Sequence, residues 1–240
     1  MKVGDKKRNL YSWRKEDKFQ GMSSEPNELL EPHRYYKSEK ALDTLDTWYK
    51  VYKESFFFKH IFNETSLKGV VLEVGGGTGF QGKVISSFVE GLYLHSDYSF
   101  LLCRSAEKKG LLSVQMDGLK LAVPDESIDE IITIAVSTII RSESLRRSQF
   151  DEFYRAIKPN GCLYLVTSVL YPIQGMHCID RRDMDYLERL GFERIKVIHW
   201  GVVPGRFWTS YSSFIFGLIE RFLSKISIGV RKTVILQKVK

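Results

Sequence analysis

A glycine-rich segment at residues 71–79 is the part of the chain best suited to hold a ligand. It reads Val-Leu-Glu-Val-Gly-Gly-Gly-Thr-Gly and joins an apolar run to a stretch with helical periodicity. Its glycines at 75, 77 and 79 allow positive φ angles and a close approach of the backbone to a ligand. A dinucleotide fingerprint would require a sixth-position glycine where Phe80 stands. Glu73 would repel a pyrophosphate and would favour a cationic ligand.

Two aspartates follow the next two apolar runs. Asp97 lies eighteen residues after Gly79, where a carboxylate can accept both hydroxyls of a ribose. Asp117 follows the third run, where a carboxylate can accept from the exocyclic amine of adenine. Each aspartate alone is better explained by a helix N-cap or a solvated turn. Because the carboxyl ends of parallel strands line one crevice, the three positions together predict a nucleoside site.

Apolar runs alternate with helical patterns along most of the chain. The predicted strands are Val70–Val74, Leu92–His95, Leu112–Gln115, Glu130–Val136, Cys162–Ser168, Arg194–Trp200 and Lys232–Val239. The predicted helices are Ser38–Phe62, Phe80–Glu90, Phe100–Lys109, Ser144–Ile157 and Arg182–Leu190, the last ending at Gly191. This alternation predicts a doubly wound α/β fold, with a mostly parallel sheet and helices on both faces. About thirty residues without a clear crossover helix separate the last two strands, which favours an antiparallel final pair with an inserted lid.

Charge and composition define the remaining organisation. The net charge is +7, and residues 1–18 hold seven Lys or Arg against three acids. We interpret residues 1–37 as a basic tail and cover, and residues 38–240 as one domain with a lid-like insertion at about 201–229. The three cysteines lack metal-ligand spacing, so no metal is predicted. No secretory leader is recognisable and the apolar run Phe207–Ile219 is too short to span a bilayer, which predicts a cytoplasmic protein.

Residues 68–168 resemble class I S-adenosylmethionine-dependent methyltransferases, in particular the group that includes the ubiquinone and menaquinone C-methyltransferases. The similarity lies in the first motif Leu72–Gly79, in Asp97 and Asp117, in the segment 117–129, and in the turn Lys158–Gly161 before the fifth strand. The resemblance implies S-adenosylmethionine as the cofactor. It also implies a seven-stranded sheet of order 3-2-1-4-5-7-6, with strand 7 antiparallel.

The resemblance assigns residues to the cofactor and to the reaction centre. It implies that the backbone at Ala135–Val136 faces the methionine ammonium. Ser137 and Thr138 would then contact the acceptor, although hydroxyls at such places equally often bond to nearby backbone. The predicted cofactor-binding residues are Glu73, Gly75, Gly76, Gly77, Gly79, Asp97, Tyr98, Met116, Asp117, Gly118, Ala135 and Val136.

A general base is less clearly indicated. His177 lies in the loop after the fifth predicted strand, where it could deprotonate a hydroxyl, or could simply bond to loop backbone. Tyr35 and Tyr36 precede the first predicted helix and could cover the acceptor, or only pack. The remaining histidines show no partner pattern and are interpreted as structural: His33, His60, His95 and His199.

The residues from Phe207 to Ile226 place their apolar side chains on one broad helix face. Such a helix could cover the substrate crevice, contact another subunit, or lie in a membrane interface. We therefore expect methyl transfer to a small or lipid-linked acceptor, with peripheral membrane contact left open. The alternatives are a protein or other macromolecular acceptor, or a non-catalytic cofactor-binding module. Nucleic acid is a disfavoured partner, because Ala135–Thr138 replaces the Asn/Asp-Pro-Pro-Tyr signature. The oligomeric state is not indicated.

Overall fold

A computed structural model describes residues 66–168, 178–201, 213–229 and 231–239. The strands are β1 (Leu67–Val74), β2 (Val89–Asp97), β3 (Ser113–Gln115), β4 (Ile128–Ile134), β5 (Ile157–Ser168), β6 (Phe192–Trp200) and β7 (Arg231–Lys238). The helices are α1 (Phe80–Ile85), α2 (Phe100–Lys108), α3 (Glu143–Ala156), α4 (Arg181–Leu190) and α5 (Ser213–Lys225), with a 3₁₀ turn at Ser86–Phe88. The predicted helix over residues 38–62 and the basic tail lie outside these ranges.

The seven strands form one sheet of order β3-β2-β1-β4-β5-β7-β6. Strands β1 to β5 pair in parallel, and β7 is antiparallel to both β5 and β6. The predicted fold class, strand order and antiparallel final pair are therefore confirmed. Because β6 runs parallel to β5, its last residue lies at the sheet edge where β1 and β2 also end.

The sheet is covered on both faces by apolar side chains. On one face Val71 packs with residues of α1, α2 and α5, and on the other Leu72 packs with residues of α3 and α4. Phe150 and Phe153 of α3 are fully buried. Successive residues of a strand point to opposite faces, so the continuous apolar runs of β4 and β5 match strands buried on both sides.

Two helices are joined by a buried ion pair. The guanidinium Nε of Arg146 in α3 lies 3.2 Å from Oδ1 of Asp183 in α4. Asp180 and Asp183 form a capping box at the start of α4, and Gly191 ends that helix with φ 110°. The left-handed glycine that the sequence predicts at the end of α4 is thus confirmed.

Two predicted boundaries are wrong. The helix predicted over Phe80–Glu90 ends at Ile85, because the chain passes through a 3₁₀ turn and enters β2 at Val89. The predicted turn Lys158–Gly161 lies inside β5, which starts at Ile157. The register of β5 on β4 shifts across this segment, and Asn160 there has a φ of 65°. The turn residues therefore form a bulge rather than an entry to the strand.

Candidate functional site

The glycine loop between β1 and α1 has the backbone that the sequence predicts. Gly75, Gly77 and Gly79 have φ angles of 73°, 60° and 75°. Two of these glycines are also required by packing. A Cβ on Gly75 would lie 2.2 Å from Cγ2 of Val136, and a Cβ on Gly79 would lie 2.5 Å from Cβ of Ala106. The loop is therefore pressed against the segment after β4 and against α2.

Four amide groups of the loop donate hydrogen bonds to acceptors within the protein, three of them to residues of β2. The amides of Gly75 and Gly76 both donate to the Ser96 carbonyl over 2.9 Å, and the Gly79 amide donates to the Gly76 carbonyl over 3.1 Å. The Gly77 amide donates to Oδ2 of Asp97 over 3.0 Å. Phosphate-binding loops direct such amides at the ligand. These four donors are already paired, which favours a ligand without a phosphate at this place.

A buried carboxyl group lies directly behind the loop. Glu73 is 1% exposed and accepts a hydrogen bond from the Tyr93 hydroxyl. Its other oxygen, Oε1, has no hydrogen-bond partner among the described residues. Burial raises the pKa of Glu73 from 4.5 to about 7, although the Tyr93 hydroxyl opposes the rise. A Cβ on Gly76 would lie 2.5 Å from Oε2, so the carboxyl group supports the loop from below.

His95 is a loop support that sequence reasoning did not distinguish from other structural histidines. Its Nε2 lies 3.1 Å from the Gly77 carbonyl and its Nδ1 lies 2.7 Å from Oγ of Ser113. Because a carbonyl can only accept, Nε2 carries the hydrogen. Burial lowers the pKa of His95, which favours the neutral ring. The one sequence signal was its spacing of two from Tyr93, which places both side chains on one face of β2.

The two predicted aspartates lie at neighbouring strand ends. Asp97 pairs with Gln115 in the β2–β3 register, and the Met116 amide donates to the Asp97 carbonyl over 2.9 Å. Asp117 therefore lies two residues beyond the partner of Asp97. The structure brings the glycine loop and both aspartates to the same edge of the sheet.

The environments of the two aspartates differ. Asp97 is 8% exposed, and its oxygens accept from the amides of Gly77 and Ser99 over 3.0 and 2.8 Å. Burial raises the pKa of Asp97, and these two amide bonds oppose the rise. Asp117 is exposed and accepts from the Leu119 amide over 2.9 Å, as in a solvated turn. Asp97 is thus held in one orientation by the fold, whereas Asp117 is held by its own turn.

The other predicted cofactor residues after β2 and β3 surround this edge. Tyr98 is half-exposed beside Asp97, and Met116 is buried. A Cβ on Gly118 would lie 3.2 Å from Val74 at the end of β1 and from the Gln149 side chain of α3. The chain at Gly118 therefore passes close to the glycine loop.

The segment after β4 has an unusual backbone. Ala135 has a φ of 64°, its amide donates to the Val166 carbonyl over 3.0 Å, and the residue is exposed. A residue other than glycine in the left-handed region costs about 1–2 kcal/mol, so the surrounding contacts must impose it. No feature of the sequence indicated this conformation. It turns the chain at the edge that the glycine loop occupies.

The hydroxyls of Ser137 and Thr138 are engaged within this segment. The Ser137 hydroxyl donates to Oε1 of Gln149 over 2.6 Å, and the Thr138 hydroxyl donates to the Ala135 carbonyl. Both residues are at least 98% buried. Their geometry favours the bonding within the loop that the sequence left as the alternative to acceptor contact. Gln149 is a site residue that the sequence did not indicate.

Three predicted residues, His177, Tyr35 and Tyr36, lie outside the described residues. Among residues 66–168, 178–201, 213–229 and 231–239, no group of three or more His, Cys, Asp or Glu could hold a metal ion. Within the same ranges, no helix is long and apolar enough to cross a membrane.

Comparison with known proteins shows what this chain is similar to. Residues 72–165 match the family model described as a methyltransferase domain. A methyltransferase from Aquifex aeolicus that depends on S-adenosylmethionine has 19% identity and a TM-score of 0.60, over 84% of this chain and 99% of that one. One from Thermotoga maritima, described as a possible histamine N-methyltransferase, has 17% identity and a TM-score of 0.59, over 83% and 97%. No curated protein matches the sequence.

The same fold also supports other chemistry. The [4+2]-cyclase SpnF is similar to this chain, with 15% identity and a TM-score of 0.52, over 84% of this chain and 83% of that one. At such identities the structural likeness establishes the fold alone. The family match goes one step further, because residues 72–165 are similar in sequence to a methyltransferase domain.

Proposed function

We propose that this protein transfers the methyl group of S-adenosylmethionine to a small or lipid-linked acceptor. The observation that carries the proposal is the glycine loop, whose amides at 75, 76, 77 and 79 are paired within the protein while acidic groups lie behind and beside it. Such a loop suits a ligand that bears a sulfonium and an ammonium, and it disfavours a pyrophosphate. The proposal takes residues 38–240 as the catalytic domain and residues 201–229 as its insertion.

Asp97 is proposed to hold the ribose. Each of its oxygens accepts one backbone amide, and a carboxylate oxygen has capacity for a second donor. Asp117 is proposed to accept from the adenine amine, with Tyr98, Met116 and Gly118 around the ring. The backbone of Ala135–Val136 would face the methionine end, beside the loop glycines 75–79 and Glu73. The orphaned Oε1 of Glu73 is a buried acceptor that a cationic ligand nearby would compensate.

The protein contributes position and a dry site to the transfer. S-adenosylmethionine supplies the activated carbon, and displacement is in line with the carbon–sulfur bond. Holding the acceptor at near-attack distance can contribute on the order of 7–11 kcal/mol. A base would add roughly 10²–10⁴-fold for an acceptor that must lose a proton, and we propose His177 for that role. Tyr35 and Tyr36 are proposed to cover the acceptor.

The proposal also names a class of acceptor. A quinol of the kind methylated at carbon by the ubiquinone and menaquinone group is the first candidate, because the motif segments 72–79 and 117–129 resemble that group. Other lipid-linked or small acceptors follow. Peripheral membrane contact would suit acceptors of this kind, since they partition into bilayers.

Calorimetric titration of the full chain tests the cofactor assignment. We expect S-adenosylmethionine to bind and NAD to give no heat of binding. Binding of NAD alone would overturn the proposal.

An acceptor screen tests the reaction. Methyl transfer is followed by mass spectrometry over quinol, sugar and lipid-linked acceptors, with the full chain and with a His177→Ala variant. Turnover of a quinol or other small or lipid-linked acceptor supports the proposal, and transfer only to protein acceptors would contradict it. Unchanged turnover in His177→Ala would remove His177 as the base.

A further inference from the structure

Helix α5 shows the reverse of the usual surface pattern. A surface helix normally turns its apolar stripe to the core. In α5 the side chains of Ile215, Leu218, Ile219 and Phe222 are between 41% and 64% exposed. The acid between them, Glu220, is 0% exposed. The apolar stripe therefore faces outward.

The inward side of α5 is fixed by specific contacts. Phe216 packs against the core cluster that contains Ile198 and Trp200 of β6. Oε2 of Glu220 accepts from the Gly201 amide over 3.1 Å. A buried carboxyl group and a packed ring both hold this side against the sheet. The stripe thus points outward because Phe216 and Glu220, on the other side of the helix, are held against the sheet.

The outward surface is apolar, and within residues 213–229 its charged side chains are all positive. Ile226 and Ile228 are about half exposed and extend it past the end of α5. Arg221 and Lys225 are exposed and lie three residues after Leu218 and Phe222, so they flank the stripe. Glu220 is the only acid in residues 213–229, and it faces inward. The apolar face is defined as Ile215, Leu218, Ile219, Phe222, Ile226 and Ile228.

The apolar face belongs to an insertion at the edge of the sheet that holds the candidate site. The chain leaves the sheet after Trp200 and returns at Arg231, and these two residues pair across β6 and β7. Arg231 also pairs with Ser168, the last residue of β5. Four strand spacings separate β6 from β1, which is about 19 Å at about 4.8 Å per strand. The insertion therefore opens at the carboxyl edge, the same edge at which β1 leads into the glycine loop.

We propose that the apolar face of α5 docks on an anionic membrane surface. The apolar face would contact the acyl chains, and Arg221 and Lys225 would contact the lipid headgroups. A second copy of the chain is a poorer occupant, because a symmetric contact would bring these cations together with no acid on the opposing helix face. Docking would present the carboxyl edge to a lipid-linked acceptor, and this last step rests on the proposed function.

Vesicle flotation of the full chain tests the docking. Wild type is expected to float with mixed phosphatidylcholine and phosphatidylserine vesicles and weakly with pure phosphatidylcholine. Phe222→Asp should lower partitioning at least about tenfold, because it removes a large apolar contact. Replacing Arg221 and Lys225 together by Gln should lower it roughly 25-fold on the mixed vesicles. The matched control is Leu112→Asp, an exposed apolar residue beside β3 at the other end of the sheet, which should bind as wild type does.

Three outcomes would overturn the docking proposal. Wild type could fail to float with the mixed vesicles, or Phe222→Asp could float as well as wild type. Sedimentation could also show a wild-type dimer that Phe222→Asp dissociates, with no vesicle binding, which would make the face an interface between copies. Calorimetry with S-adenosylmethionine on each variant reports folding separately. Retained cofactor binding with lost flotation supports docking, and absent cofactor binding in wild type counts against the proposed function alone.

Discussion

The glycine loop and helix α5 lie at the same edge of the sheet and are built in opposite ways. In the loop, the backbone amides point into the protein and donate to acceptors there. A ligand would therefore contact the outer surface of the loop backbone. In α5, one acid turns inward and apolar side chains turn outward. The loop amides at 75, 76, 77 and 79 and the Glu220 carboxyl group each have a hydrogen-bond partner. The comparison teaches that the loop is a rigid cradle, whereas α5 is an anchored helix with an unusual outer surface.

Loss of the Asp97 carboxylate should have the largest effect. Asp97→Ala removes two proposed ribose contacts and the acceptors for the Gly77 and Ser99 amides. Hydrogen bonds to charged groups contribute about 1.5–3 kcal/mol each, so affinity for S-adenosylmethionine should fall about 10³-fold. Asp117→Ala should cost only about tenfold, because that carboxylate is exposed. Calorimetry measures both, and an equal or larger loss for Asp117→Ala would contradict the assigned roles.

The tight seating of the loop predicts a strong effect at Gly79. Gly79→Ala places a Cβ 2.5 Å from Ala106 and puts alanine at a φ of 75°, so we expect the free energy of unfolding to fall by about 3 kcal/mol. Gly110→Ala is the matched control, since Gly110 has a φ of 81° and its nearest neighbour would be 3.7 Å away. It should cost about 1 kcal/mol. Equal losses in chemical denaturation would show that packing at Gly79 is unimportant.

Glu73 should make stability depend on pH. Its pKa is raised from 4.5 to about 7 by burial, so the folded state holds the proton more tightly than the unfolded chain. The contribution of Glu73 to the free energy of unfolding is therefore fully present below about pH 4.5 and falls as the pH rises towards 7. It then levels off, with a total loss of roughly 3 kcal/mol.

The variant Glu73→Gln isolates this effect, because it mimics the protonated group. His95, whose pKa is lowered by burial, titrates in both proteins and cancels in the comparison. Free energies of unfolding at pH 5 and pH 8 should fall less with pH in Glu73→Gln than in wild type. The exposed control Glu90→Gln should behave as wild type. A wild-type pH dependence in Glu73→Gln would exclude Glu73 as its source.

Substitutions on the two sides of α5 should differ modestly in their effect on the free energy of unfolding. Phe216→Ala removes a ring packed against the core and should cost about 2 kcal/mol. Phe222→Ala, on the exposed side of the same helix, should change the free energy of unfolding by less than about 0.5 kcal/mol. Thermal and urea unfolding of the two variants give the comparison. A large loss in Phe222→Ala would mean that the apolar face is covered within the protein itself.

The sequence predicted features that depend on local chemistry. Positive φ angles at the alternate glycines follow from residue type, and the doubly wound sheet follows from the alternation of strands and helices. The strand order came from the resemblance rather than from the pattern. Asp97 and Asp117 could be placed at one edge because parallel strands end together.

Features that depend on tertiary contacts could not be predicted from the sequence. Periodicity shows that α5 has an apolar face, but only the seating of Glu220 and Phe216 decides that the face points outward. Glu73 was expected beside a ligand, and its depth beneath Gly76 depends on the packing of β2. The bulge at Lys158–Gly161 has the composition of a turn, so its pairing with β4 could not be foreseen.

The pairing of Trp200 with Arg231 has a consequence for how the sequence between them can change in evolution. The intervening residues depart from and rejoin the sheet at one rung of the β6–β7 ladder. Their length and composition can change without altering the register of any strand. On the proposed function, natural variants could acquire new acceptors through changes in residues 201–230, while the proposed cofactor residues around β1 to β3 stay as they are. Exchange of residues 201–230 between homologues is accordingly the natural starting point for retargeting the enzyme.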